Sequence, residues 1–143
     1  MKFAILGAGA VGGYFGARLA EAGEDVTFMA RGAHLEAIRS TGLRIESENG
    51  DAHIHPAQVS DDPAEVGPVD YVFFAVKLFQ TEETADFAKP LVGPNTTLVA
   101  LQNGVECANV LSAVHGKEKV LNGTSYIAAV IAEPGLIRQT GTF

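Results

Sequence analysis

Residues 3–32 read FAILGAGAVGGYFGARLAEAGEDVTFMARG, and the reading of this stretch decides the fold. Phe3 to Leu6 is a short, continuously apolar run, the pattern of a strand covered on both faces. From Ala10 to Ala22 the spacing of Val11, Phe15 and Leu19 lays out one apolar helical face, with Arg18 and Glu21 pointing elsewhere and Gly23 as the stop. A second strand, DVTFMA, follows. Strand, glycine turn, helix and strand make the first unit of a parallel α/β sheet.

The glycines between strand and helix have a chemical reading. Gly7, Gly9 and Gly12 form G-x-G-x-x-G, a string that acquires a mechanism only when a strand precedes it and a helix follows. Gly7 then allows the tight turn, Gly9 lets the backbone approach a pyrophosphate, and Gly12 lets the helix pack closely on the strand. The loop from Gly7 through Ala8, Gly9, Ala10 and Val11 to Gly12 turns unpaired amides and the positive end of the helix dipole toward phosphate. Gly16, which costs about 1 kcal/mol of helix propensity relative to alanine, reads as a further point of close packing.

Which dinucleotide the loop selects is decided at the end of strand two. An NAD site there carries an acidic residue for the ribose 2′-hydroxyl. This chain has Met29-Ala30-Arg31-Gly32, with no Asp or Glu between Val26 and Leu35 and Asp25 at the wrong end of the strand. Arg31 offers a planar, permanently charged fork suited to a 2′-phosphate, which predicts NADP(H) as the cofactor.

Alternating apolar runs and helical patterns continue along the chain, predicting a doubly wound, mostly parallel sheet with helices on both faces. Residues 33–39 read as a short helix ended by Gly42. LRIESENGDAHIHPAQV alternates polar and apolar residues on both sides of Asn49-Gly50, a hairpin signal that runs on to Val59. Pro63, Gly67 and Pro68 predict a loop before the buried strand VDYVFFAV. A helix from about Phe79 to Ala88 is closed by Pro90, Gly93 and Pro94. TTLVAL is the next strand, GVECANVLSAVHG the next helix, and the remainder reads as strands with a turn at Pro134-Gly135.

Ligands in such sheets collect beyond the carboxyl ends of the strands, where Lys77, Gln80 and Asn103 lie. Lys77 opposes the dipole at a helix start, which favours a ligand-facing role; Asn103 also suits an N-cap. His34, His53, His55 and His115 fall in a helix start, the hairpin and a helix end, and read as surface residues away from that edge. Four residues after Tyr71 stands Ala75 and four after Tyr126 stands Val130, so no Tyr-x-x-x-Lys pair is present. No Ser-His-Asp or metal-ligand set emerges either, so the sequence carries no self-sufficient catalytic constellation.

The 143 residues suffice for one domain spanning 1–143, and 47% hydrophobic with 19% charged residues places the chain among globular proteins. A net charge of −7 argues against nucleic acid or an anionic membrane as the main partner. Cys107 is the only cysteine, so no intrachain disulfide forms and a reducing cytoplasm fits. No signal-peptide core and no apolar run of about 18 residues is present. The chain stops at Phe143 without a terminating signal, which predicts a piece of a longer protein.

MKFAILGAGAVGGYFGARLAEAG, ARG, AVKLFQT, LQNGVE and NGTSYIAAVIAEPGLIRQTG together resemble the N-terminal, Rossmann-type domain of the ketopantoate reductases (2-dehydropantoate 2-reductases), across essentially the whole chain. The resemblance implies that Gly7, Gly9 and Gly12 hold the pyrophosphate of NADPH and Arg31 its 2′-phosphate. It implies that Lys77 and Gln80 lie beside the cofactor and Asn103 near both nicotinamide and substrate. It further implies hydride transfer to a small 2-oxo acid, ketopantoate, for pantothenate and coenzyme A synthesis. The family's catalytic lysine would lie in a helical C-terminal domain past Phe143, a domain that also commonly forms a homodimer; this segment alone is then inactive. Glu106 stands where the better-studied members carry a second glycine after Asn-Gly. It leaves open another small 2-oxo or 3-hydroxy acid as substrate, or a non-catalytic NADP-binding module.

Overall fold

β1 (Lys2–Leu6), β2 (Asp25–Met29), β5 (Gln58–Ser60), β6 (Val69–Phe74), β7 (Val92–Ala100) and β8 (Val120–Asn122) form one sheet in the order β5-β2-β1-β6-β7-β8. Every pairing in it is parallel. The computed structural model describes residues 1–76, 81–101 and 106–141. From β1 the chain winds outward through β2 to β5, then returns past β1 and winds the other way through β6, β7 and β8. This is the doubly wound arrangement expected from the sequence, and strand order reverses between β1 and β6. The register places Leu6, Met29 and Phe74 level with one another, and Phe74 level with Ala100. The carboxyl ends of four strands therefore form one edge.

α1 (Ala10–Glu21) and α2 (Gly32–Thr41) cover one face, where Ile5, Phe28 and Ile38 are fully buried. α4 (Thr81–Phe87) and α5 (Glu106–His115) cover the other, enclosing Val72, Phe74, Leu98 and Leu111. Burial on both faces is why these strands read as unbroken apolar runs rather than alternating ones.

A second sheet, with order β4-β3-β10-β9, is built from two hairpins. β3 (Leu43–Ser47) and β4 (Ala52–Ile54) form the first, β9 (Ala128–Glu133) and β10 (Leu136–Thr140) the second, and β3 joins β10 in parallel. α1 lies between the two sheets. A Cβ on Gly16 would come within 2.7 Å of Ile5 and Phe28 in the large sheet, whereas one on Gly13 would overlap Ile137 in the small one. The helix is glycine-rich because it is pressed from two sides.

Three local expectations are corrected. The hairpin ends at Ile54 instead of running to Val59: Pro56 has no N–H to continue the ladder, and Gln58–Ser60 pairs with Thr27–Met29 of the large sheet. The loop expected around Pro63 contains a helical turn, α3 (Pro63–Val66), because Asp62 caps it by accepting from the Ala64 amide at 2.9 Å and Pro63 suits a first helical position. β7 starts at Val92 and includes Gly93 and Pro94. It tolerates them because its register against β6 shifts between Val69 and Tyr71. The buried Thr96 hydroxyl bridges that gap, donating to the Val69 carbonyl at 2.5 Å and accepting from the Gly93 amide at 2.8 Å.

Candidate functional site

The turn from Leu6 to Ala10 stands at the strand-order reversal between β1 and β6, where open α/β sheets place their ligand crevice. Gly7 carries φ +93°, a left-handed backbone that side chains rarely adopt, and a Cβ there would lie 2.9 Å from the Ala75 carbonyl group and the Val76 side chain. The loops leaving β1 and β6 thus touch at Gly7. Ala8 is buried and its amide donates to the Met29 carbonyl at 3.0 Å, fixing the loop to the end of β2. At Gly12 a Cβ would overlap the Gly7 carbonyl oxygen and sit 3.0 Å from Ile5, so the helix start rests directly on the turn.

Gly9 differs from both. A Cβ there would meet only the Ile131 side-chain tip, at 3.9 Å. Beyond that one contact the space in the Cβ direction of Gly9 is open. Gly9 is also the N-cap of α1, with no side chain capping the helix and no acidic residue in its first turn. The amides at the first turn, from Ala10 and Val11 onward, have no partner within the helix. Shape and polarity together fit a pyrophosphate at this point.

Arg31 follows the end of β2 as the exposed N-cap residue of α2. Arg18, Arg39, Arg44 and Arg138 are each ion-paired with a carboxylate. Arg31 has no such partner among the described residues, so its guanidinium is available to an external anion. Lys77, Gln80 and Asn103 lie outside the described residues. Glu106 opens α5 and is exposed.

His34 is where the sequence reading needs correction. Placed on the third residue of α2, it does not face solvent; it is half-buried against the glycine loop. The Gly135 amide donates to its Nδ1 at 3.0 Å, and its Nε2 lies 2.7 Å from the Ala8 carbonyl oxygen. The only sequence signal for this was the spacing of three residues between Arg31 and His34, which carries a helix-start side chain back over the preceding strand end. His115 is likewise half-buried, with Nε2 2.7 Å from the Ala85 carbonyl oxygen, and links α5 to α4. His53 and His55 are exposed and stack on each other.

Among the described residues no group of His, Cys, Asp and Glu is arranged to hold a metal ion, and no helix is long and apolar enough to cross a membrane. A further concavity of about 280 Å³ opens at the amino ends of the strands between Lys2, Asp25, Gln58 and Glu65. Its polar groups engage one another: Gln58 donates to Asp25 at 2.6 Å and Ser60 to Glu65 at 2.8 Å.

Fold and loop together define a Rossmann-type α/β domain with its crevice at the strand-order reversal. The chain belongs to the ketopantoate reductase PanE/ApbA family, whose model matches residues 3–143. It is 38% identical to the 2-dehydropantoate 2-reductase of Mesorhizobium japonicum, over 97% of this chain and 49% of that protein. The crystal structure of 2-dehydropantoate 2-reductase from Porphyromonas gingivalis W83 superposes with a TM-score of 0.91 at 40% identity, covering 98% of this chain and 51% of that one. D-Mandelate dehydrogenase, solved as a ternary structure with NADH and anilino(oxo)acetate, superposes with a TM-score of 0.90 at 25% identity, over 99% of this chain and 46% of that one. The chain spans about half the length of the curated relatives it matches.

Proposed function

We propose that this chain is the NADP(H)-binding half of an NADPH-dependent 2-oxo acid reductase, with 2-dehydropantoate as the leading substrate. The observation that carries the reading is the open position at Gly9 on the uncapped start of α1. It is flanked by Arg31, the arginine without a carboxylate partner among the described residues. The first turn of α1 would take the pyrophosphate and Arg31 the 2′-phosphate, while Lys77, Gln80 and Asn103 would lie toward the nicotinamide and substrate. The bound nucleotide would supply hydride to the substrate carbonyl. This chain's part is to bind and orient it, with the net negative charge of the rest of the surface leaving the phosphates to these local donors. A helical partner domain bearing the family's lysine would supply the proton that the reduced carbonyl needs.

The D-mandelate dehydrogenase likeness favours a second reading, in which the substrate is another small 2-oxo acid and the cofactor is NADH. Both cofactor readings meet in one experiment, calorimetric titration with NADPH and NADH at fixed salt. Selective NADPH binding that Arg31→Ala weakens by roughly 10- to 100-fold, the value of a lost charge-assisted hydrogen bond, with NADH little changed, is the expected result. Equal losses for both nucleotides would remove the case for NADP(H). Gly9→Val should block both nucleotides, with the thermal midpoint lowered only by the preference of the N-cap position for glycine over valine. A panel of 2-oxo acids with the full-length protein then separates 2-dehydropantoate from bulkier aromatic substrates.

A further inference from the structure

His34 contacts two segments that are far apart in sequence. One is the glycine loop, through the Ala8 carbonyl; the other is the Pro134-Gly135 turn between β9 and β10, through the Gly135 amide. An imidazole nitrogen that accepts from an N–H carries no proton. With Nδ1 accepting from Gly135, the proton lies on Nε2, which donates to the Ala8 oxygen. The ring is thus a rigid spacer with one defined tautomer. Gly135 is clamped from its other side too, because its carbonyl accepts from the Arg44 amide at 2.9 Å and its Cα faces Ala37, where a Cβ would lie 3.1 Å away. The hairpin held in this way presents Ile131, the residue that borders the open space at Gly9.

We propose that His34 is a positioning residue for the nucleotide site: by tying Ala8 to Gly135 it sets the distance between the phosphate-facing glycine loop and the Ile131 wall of the crevice. Ala8 is held at its amide by β2 and at its carbonyl by His34, so the orientation of the adjacent Gly9 peptide depends on this ring. The inference rests on the nucleotide reading above, and the test keeps the two separate.

The experiment combines titration of NADPH, NADH and adenosine 2′-monophosphate with hydrogen exchange at the amides of residues 9–12, in the parent chain and in His34→Ala, His34→Asn and His34→Gln. Asparagine keeps an acceptor near the place of Nδ1 but no donor for Ala8; glutamine keeps a donor near the place of Nε2. His34→Ala is expected to weaken NADPH and NADH alike by roughly tenfold and to speed exchange in the loop, with adenosine 2′-monophosphate, which has no pyrophosphate, unchanged. His34→Gln should recover most of both effects and His34→Asn should not. Unchanged NADPH affinity and loop exchange in His34→Ala would overturn the proposal while leaving the nucleotide reading intact. A parallel loss of adenosine 2′-monophosphate binding would overturn it too, showing a general disturbance of α2. If the parent binds neither dinucleotide, the nucleotide reading falls, and loop exchange alone decides whether His34 orders the loop. Should His34→Ala fail to fold, the asparagine and glutamine variants carry the same comparison.

Discussion

The two sheets that enclose α1 are built on opposite principles. In the six-stranded sheet, strands are buried on both faces, as at Ala4, Ile5, Val72 and Leu98. Its strands are joined by crossovers, and its pairings run between consecutive strands except at β2–β5 and β1–β6, where Phe3 meets Tyr71. The four-stranded sheet has one inner face, carrying Leu43, Ile45, Ile137 and Gln139, and an outer one where Arg44 and Arg138 pair with Glu133 and Glu46 in solvent. It joins hairpins that are remote in sequence: the Ser47 hydroxyl donates to the side-chain oxygen of buried Gln139, 92 positions away. Closing so long a loop costs entropy before any contact rewards it. The large sheet supplies the edge on which the glycine loop stands, and the small sheet is a wall that α1 and His34 hold against that edge.

The helix between them offers the sharpest way to break this contrast. Gly12 faces the turn on the large-sheet side, where the obstacle to a methyl group is the Gly7 backbone carbonyl; Gly13 faces the small sheet, where the obstacle is the tip of Ile137. A backbone carbonyl in a tight turn yields far less readily than a side-chain tip. Gly12→Ala is expected to destabilise the chain by about 3 kcal/mol, at the upper end of overpacking costs and well beyond the roughly 1 kcal/mol of helix propensity that alanine restores. Gly13→Ala should cost only about 1 kcal/mol, and Ile137→Val, which removes the obstructing methyl, should relieve that cost. Urea unfolding of the two single variants and of the Gly13→Ala/Ile137→Val pair measures all three. Equal losses at Gly12 and Gly13, or no favourable coupling between positions 13 and 137, would mean that the small sheet is as unyielding as the large one.

This division also explains what could be read from the sequence. The parallel sheet was legible because its signals are local: apolar runs, a glycine turn with a strand before it and a helix after, and alternating elements. The glycine loop and Arg31 were legible as candidates because each sits at a fixed offset from a strand end. The small sheet was not. Asn49-Gly50 and Pro134-Gly135 announced two hairpins, but nothing in a period-two pattern says that β3 will pair with β10. For the same reason Gly13 was silent and His34 read as a surface residue: each matters only once the second hairpin has docked. Sequence separation, more than residue type, marks the limit.

The smallest effect tests the sealing of the large sheet's far face. Cys107 lies on α5 among Leu98, Leu111 and their neighbours and is 1% exposed. Burial disfavours the thiolate and pushes the Cys107 thiol from its ordinary 9.0 up to about 11. In the unfolded chain the thiol loses its proton near the ordinary value, while the folded chain retains it until the higher one. Between these values the unfolded state binds fewer protons than the native state, so this group's contribution is whole below about pH 9 and is lost as pH rises toward 11. At neutral pH it produces no slope. Urea midpoints measured from pH 7 to 11 in the parent and in Cys107→Ala should differ by a constant offset up to about pH 9 and then converge. Alkylation of the native thiol at pH 8 should be slow and should become fast on unfolding, because the thiolate is the reactive form. Parallel profiles across the whole range, together with rapid native alkylation, would mean that water reaches Cys107. The face under α5 would then be open like the outer face of the small sheet, and the contrast between a sheet sealed on both sides and one sealed on a single side would fail where it is easiest to measure.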